Sequence, residues 1–313
     1  MQTQRKRKLQ DRRPRSTSLP SKSPTQSSKP IHDGDPYQTH HRPTPEECRA
    51  VRDDLLALHG FPREFSRYRE QRQRKLGLVV EDEGEGREQS EAETALAGEE
   101  EAEEEESVLD GLVKTVLSQN TTDVNSQRAF ASLKSAFPSW EDVLAAESTC
   151  IEDAIRCGGL APTKAACIKN ILTCLLEKRG KLCLEYLRDL SVGDIKAELS
   201  LFKGIGPKTV ACVLMFHLQQ DDFPVDTHVF EIAKTIGWIP TTADRNKAYL
   251  HLNQRIPSEL KFDLNCLLFT HGKMCHRCGK RKDSQQCGKR KDSQHREESP
   301  GKACPLLNYC KNS

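Results

Sequence analysis

Apolar residues along this chain recur at helical spacing, and no stretch shows the two-residue alternation of a strand. Val108, Leu109, Leu112, Val113, Val116 and Leu117 trace one amphipathic helix, and Val192, Ile195, Leu199 and Phe202 a shorter one. From Pro207 to about Leu218 almost no polar face remains, which implies a helix buried among others. Further helices are expected after Asp123, around Trp140 to Ala146, near Ile151 to Ile155, and from Thr163 to Leu176. Thr227 to Ile236, Arg245 to Gln254 and Ser258 to Thr270 continue the series. Upstream, Thr44-Pro45-Glu46-Glu47 begins a helix carrying Val51, Leu55, Leu56 and Leu58, and Gly60 stops it. The pattern predicts an all-α fold.

Between two of these helices stands Gly204-Ile205-Gly206-Pro207. The glycines permit a tight turn with positive φ, and Pro207 has the fixed φ of a first helical residue. Free N–H groups at such a hairpin favour an anion, a backbone phosphate above all. An ordinary turn between packed helices is the alternative. Lys208 occupies the first turn of the buried helix, where the dipole and partial desolvation disfavour the ammonium, and a neutral lysine is a nucleophile. A solvated lysine touching phosphate is the plainer reading. Asp226, at the start of the next helix, is placed to cap it, and a returning loop brings it back toward Lys208.

At these residues the chain resembles the helix-hairpin-helix DNA glycosylases of the endonuclease III superfamily. The resemblance rests on Gly204-Ile205-Gly206-Pro207-Lys208-Thr209 and on Val225-Asp226-Thr227-His228, with the lysine and aspartate 18 positions apart. It covers roughly Ser107 to Cys310. Phe223 to Val229 and Gly237-Trp238-Ile239-Pro240 look closer to the plant Demeter-like 5-methylcytosine glycosylases. The resemblance implies a two-lobed helical fold, attack by Lys208 on a sugar, and assistance from Asp226. It also marks the loop Ser118 to Asp123, where Gln119 or Asn120 would fill the gap left by an extruded nucleotide. A side chain with both donors and acceptors suits the orphaned partner base. Lys164, after the Gly158-Gly159-Leu160 turn, is a candidate phosphate contact or simply a solvated helix lysine. With Gly204 and Gly206 these residues make the expected DNA-binding set.

Composition divides the 313 residues further. The net charge of +2 hides an asymmetry: residues 81–106 hold 14 acidic side chains and one arginine, so the rest of the chain carries +15. A basic body suits a polyanion. Residues 1–43 are Ser-, Pro- and Arg-rich with few apolar positions and are expected to be a disordered basic tail. Arg5-Lys6-Arg7-Lys8 reads as a nuclear-localisation patch, with an organellar transit peptide as the rival. No apolar run is long enough to span a membrane. The expected divisions are then a helical segment over 44–80, an acidic linker over 81–106, a glycosylase domain over 107–272 and a cysteine-rich segment over 273–313. The acidic run reads as a solvated linker, with a DNA mimic as the alternative.

Five of the 13 cysteines fall within 36 residues, at 275, 278, 287, 304 and 310. Thirteen reduced cysteines suit an intracellular compartment. Here the tail resembles the family's iron-sulfur segment, which implies a [4Fe-4S] cluster, zinc being the alternative for four thiolates. The family's second ligand position falls on Gly301, so Cys275, Cys278, Cys304 and Cys310 are the expected set. Cys287 is the other candidate for the second place, because CGKRKDSQ occurs twice, at 278–285 and 287–294. The expected activity is excision of a modified base, an oxidised pyrimidine before 5-methylcytosine, from duplex DNA with strand cleavage at the abasic site, by a monomer. The other class is a non-catalytic DNA-binding module.

Overall fold

The structure, a computed structural model, describes residues 34–77, 106–275 and 304–310. The acidic run, the basic tail before Gly34, Cys278, Cys287 and the repeated CGKRKDSQ lie outside the described residues. Those described form helices and turns with no strand among them, as the hydrophobic spacing requires. None of the helices is long and apolar enough to cross a membrane.

Two cores sort the helices into two lobes. The first gathers α3 (Val108–Leu117), α4 (Asp123–Ala136), α5 (Trp140–Ala145), α6 (Ser148–Ala154), α7 (Ala161–Arg179), α8 (Val192–Leu199) and α9 (Pro207–Cys212). Leu112, Val116, Ile168, Leu172, Ile195 and Leu214 lie at its centre, fully buried. The second lobe is built from both ends of the chain. Here α10 (Thr227–Thr235), α11 (Arg245–Arg255) and α12 (Ser258–Met274) pack with α1 (Pro45–His59) and the short turn Pro305–Tyr309. Trp238, Phe223, Leu55 and Leu306 are buried there together. Tyr309 donates to Asp54 Oδ2 at 2.7 Å, fixing the C-terminal turn to α1.

Local chemistry explains the helix limits. Thr44 Oγ1 accepts from Glu47 N at 3.2 Å while Glu47 Oε2 accepts from Thr44 N at 3.0 Å, a complete capping box ahead of Pro45. Gly60, at φ 67°, closes the helix. Two expectations need correction. Residues 35–43 are held in place: His251 is buried between Asp35 Oδ1 and the Arg42 carbonyl, both at 2.7 Å, and His40 reaches Gly237 O at 3.1 Å. The few polar anchors in this strap do what apolar residues do elsewhere, so composition alone placed the ordered boundary too late. The second concerns the helical segment expected over 44–80, in which the hydrophobic spacing located only the helix that Gly60 stops; a further helix, α2 (Ser66–Lys75), lies within it. It has hardly any apolar residue of its own, and a ring cluster docks it: Phe65 stacks on Phe216 and Tyr68 meets the same ring edge-on.

The buried helix that begins at Pro207 is α-helical to Cys212 and continues as a π-helix from Val213 to His217. Leu218 N accordingly reaches back to Val213 O. The wider turn carries His217 against α3, where Gly111 leaves room for the ring, since a Cβ there would lie 2.4 Å from it. π-turns have no hydrophobic period of their own, so the sequence showed only an apolar helix.

Candidate functional site

The hairpin connects α8 to α9. Gly204 takes φ 95°, and a Cβ on it would come within 3.0 Å of Cys167 Sγ, so both backbone conformation and space require glycine. Gly206 is different: its backbone is extended, it is the N-cap of α9, and no atom lies within 4 Å of where a Cβ would stand. No side chain caps α9, and Pro207 fills its first position. The first-turn N–H groups therefore face outward beside open space, the arrangement that receives an anion.

Lys208 stands in this first turn, its residue surface exposed but its ammonium surrounded by protein on the side of Cys212 and Asp226. Its ammonium is held above the ordinary lysine range. Cys212, one helical turn further on, is the main cause, and Asp226 and Asp123 act the same way against the desolvation caused by surrounding protein. The Cys212 thiol is itself pushed up by burial, so at neutral pH it is protonated and the carboxylates are the charges Lys208 feels. Desolvation thus does not prepare a neutral amine in the resting protein, and a base must take the proton.

Asp226 is half-buried and caps α10, with Oδ1 accepting from Val229 N at 2.8 Å. Asp123 comes from the first residue of α4, Thr122 being the cap there, and pairs with Lys273 of α12 at 2.7 Å. That bridge joins the two lobes beside Lys208.

The sequence reading left Gln119 and Asn120 equivalent, and the structure separates them. Gln119 Nε2 donates to Thr209 Oγ1 at 3.1 Å, which ties the loop to the residue after Lys208. Asn120 is exposed, with φ 52°.

Lys164 corrects an expectation. It is neither a phosphate contact nor solvated: it is buried, and Nζ donates to Leu117 O at 2.7 Å and Gly158 O at 2.9 Å. Burial holds its ammonium below the usual lysine range. It closes the ends of α3 and of the turn before α7, work that a surface-looking sequence position does not advertise. Lys164→Met should therefore destabilise the fold by about 1–3 kcal/mol, because two carbonyls lose a buried donor. Its salt dependence of DNA binding should match the wild type, and a shallower slope of log K against log salt would restore the phosphate reading.

The residues missed by sequence reasoning hold the loop that delivers Asp226. Asp222 was taken as part of a polar loop, yet it is fully buried, receiving Lys196 Nζ at 2.7 Å and Tyr249 OH at 2.9 Å. Asn253 clasps Phe223 from both sides, accepting from its N–H at 3.0 Å and donating to its carbonyl at 3.2 Å. Asn265 donates to Pro224 O at 2.7 Å. Three helices thus fix a segment that has no regular structure.

At the C-terminal end of α12, one ligand atom from each of His271, Cys275 and Cys304 lies within 4.8 Å of the other two. Two of the four expected cysteines are in this group. Cys310 is not; its thiol points to Leu306 O at 3.7 Å. Soft thiolates beside an imidazole form a donor set that suits zinc or iron.

A two-lobed helical bundle carrying a glycine hairpin, a lysine in the helix turn after it and a capping aspartate has the architecture of a helix-hairpin-helix protein. Residues 113–258 match the HhH-GPD superfamily base excision DNA repair protein family. The chain is 63% identical over 260 residues to an Arabidopsis thaliana protein named as a candidate DNA glycosylase, spanning 83% of this chain and 86% of that one. It is also 29% identical to endonuclease III of Sulfolobus acidocaldarius, over 56% of this chain and 76% of that protein. The DNA glycosylase/AP lyase ROS1 of Arabidopsis thaliana is 34% identical over 118 residues, 38% of this chain but 8% of ROS1. Among solved structures, a trapped endonuclease III–DNA covalent intermediate superposes with a TM-score of 0.53 at 19% identity, covering 86% of this chain and 96% of that one. The chain belongs to the HhH-GPD superfamily of base excision DNA repair glycosylases.

Proposed function

We propose that this protein is a bifunctional DNA glycosylase that removes an oxidised pyrimidine from duplex DNA and then cleaves the strand. The observation that carries this reading is that Lys208, at the anion-receptive hairpin, stands near enough to Asp226 for the carboxylate to act on its ammonium. The phosphate backbone rests on the N–H groups of Gly204 and Gly206 and of the first turn of α9 beyond Pro207, Asn120 enters the gap left by the extruded nucleotide, and Gln119 holds the loop that presents it. Asp226 takes the Lys208 proton as the amine attacks C1′. The N–C1′ bond forms as the glycosidic bond breaks, and its electron pair leaves with the base. A proton delivered to O4′ and cleavage of the C1′–O4′ bond open the sugar ring to the protonated Schiff base, which loses a C2′ proton, and the 3′ phosphate departs by β-elimination.

The metal centre at Cys275 and Cys304 would hold the C-terminal segment against α12 and takes no part in these steps. The protein acts as a monomer, in the nucleus, on DNA carrying a modified base or an abasic site. The divisions at 44–80, 107–272 and 273–313 serve respectively to complete the second lobe, to carry the chemistry and to bind the metal.

Duplexes that each contain one modified base test this directly. Thymine glycol and related oxidised pyrimidines should be excised and the strand nicked. Cleavage of 5-methylcytosine but not thymine glycol would move the protein to the Demeter-like activity, in line with its FPVDTHV wording. Binding to every duplex with release of no base would leave a non-catalytic DNA-binding module.

A further inference from the structure

The structure assigns His271 as a metal ligand, alongside Cys275 and Cys304, in a site built for a single tetrahedral ion such as zinc. This inference stands apart from the glycosylase reading, because the site lies on the C-terminal side of α12 and enters no chemical step.

Three observations converge. First, the three donor atoms lie within 4.8 Å of one another. Ligands that share one zinc ion, at roughly 2.0–2.3 Å from the metal, must stand this close. The thiolates of a cubane cluster each sit on a different iron at its corners and stand farther apart. Second, two of the three donors are buried, His271 at 1% exposure and Cys304 at 8%, with Cys275 partly exposed at the rim. His271 and Cys275 are four residues apart at the end of one helix, so both face the same way. Third, the far nitrogen of His271 is already engaged. Nδ1 lies 2.8 Å from His59 Nε2, at the end of α1, and Nε2 lies 3.4 Å from Cys304 Sγ. A ligating histidine characteristically gives its other N–H to a neighbour that fixes its tautomer, and the Nδ1···His59 contact offers that partner: in the tautomer protonated at Nδ1, the Nε2 lone pair is free on the side of Cys304. This also answers the sequence anomaly, in which the family's second cysteine position is glycine, Gly301.

Metal analysis and spectroscopy of the full chain, purified without oxygen, decide the matter. The expected protein is colourless and holds one zinc per chain. Replacement of zinc by Co²⁺ should give a visible spectrum of a tetrahedral thiolate site. His271→Ala should lose the metal as Cys275→Ser does. His59→Leu should keep the metal but hold it about 10–100-fold more weakly against a chelator, the usual cost of removing an outer partner. This second variant carries the test if His271→Ala fails to fold, since His59 lies at a helix end and is only half-buried. Brown protein with about four irons per chain would overturn the assignment. So would full metal content in folded His271→Ala, or unchanged chelator resistance in His59→Leu.

Discussion

Lys208→Gln should abolish covalent capture of the protein on abasic DNA by borohydride and lower base excision at least about 10⁴-fold, the scale on which loss of a nucleophile acts. Duplex binding should stay close to wild type, because the hairpin N–H groups and the open face of Gly206 are untouched. The pH dependence adds a second readout. The Lys208 ammonium is held above its ordinary range by Cys212, Asp226 and Asp123. The neutral fraction therefore grows as pH rises, and single-turnover trapping by the wild type should climb steadily across the neutral and mildly alkaline range. Cys212→Ala, which removes the first of these influences, should leave the neutral-pH rate nearly unchanged, since a protonated thiol exerts no charge there. A wild-type protein that excises a base and is never trapped would make Lys208 a phosphate contact and the enzyme monofunctional.

Much of this site was legible in the residues themselves. The glycine hairpin, the helix after Pro207 and the capping role of Asp226 follow from local chemistry, and local chemistry is what a sequence states directly. Gly204 shows this well, because its positive φ follows from a turn that had to be tight, whereas its closeness to Cys167 is a contact between distant parts of the chain. What failed was the inference from polarity to exposure. Lys164 and Asp222 look like solvent-facing residues of a helix and a loop, and both are buried because partners distant in sequence satisfy them. The strap at 35–43 and α2 failed for the same reason, since polar anchors and a few rings dock them onto surfaces formed elsewhere in the chain. His271 was not singled out by the sequence as a metal ligand. Its nearness to Cys304, 33 residues on, depends on how the C-terminal turn packs against α1 and α12.

The buried carboxylate of Asp222 should matter almost as much as the catalytic pair. It links three separate parts of the molecule: Lys196 on α8 of the hairpin, Tyr249 on α11, and the loop that ends in Asp226. Asp222→Ala removes all three links, leaving the Tyr249 hydroxyl and the Phe223 N–H with one partner fewer. Lys196 keeps 39% of its side chain exposed and can turn to solvent, which tempers the penalty for an abandoned charge. A loss of about 2–4 kcal/mol in unfolding free energy is therefore expected, below the cost of stranding a fully buried ion. The effect on chemistry should be separable from that on folding. A small shift of Asp226 relative to Lys208 costs on the order of 10²-fold in rate, because proton transfer and attack depend on alignment. At a temperature where the variant is folded, single-turnover excision should fall by about that factor while affinity for duplex DNA holds. Tyr249→Phe, which deletes one hydrogen bond and preserves the ion pair, should cost only about 1 kcal/mol and leave the excision rate near wild type. If folded Asp222→Ala excises as fast as the parent, then Asn253 and Asn265 suffice to hold the loop, and the ionic link serves stability alone.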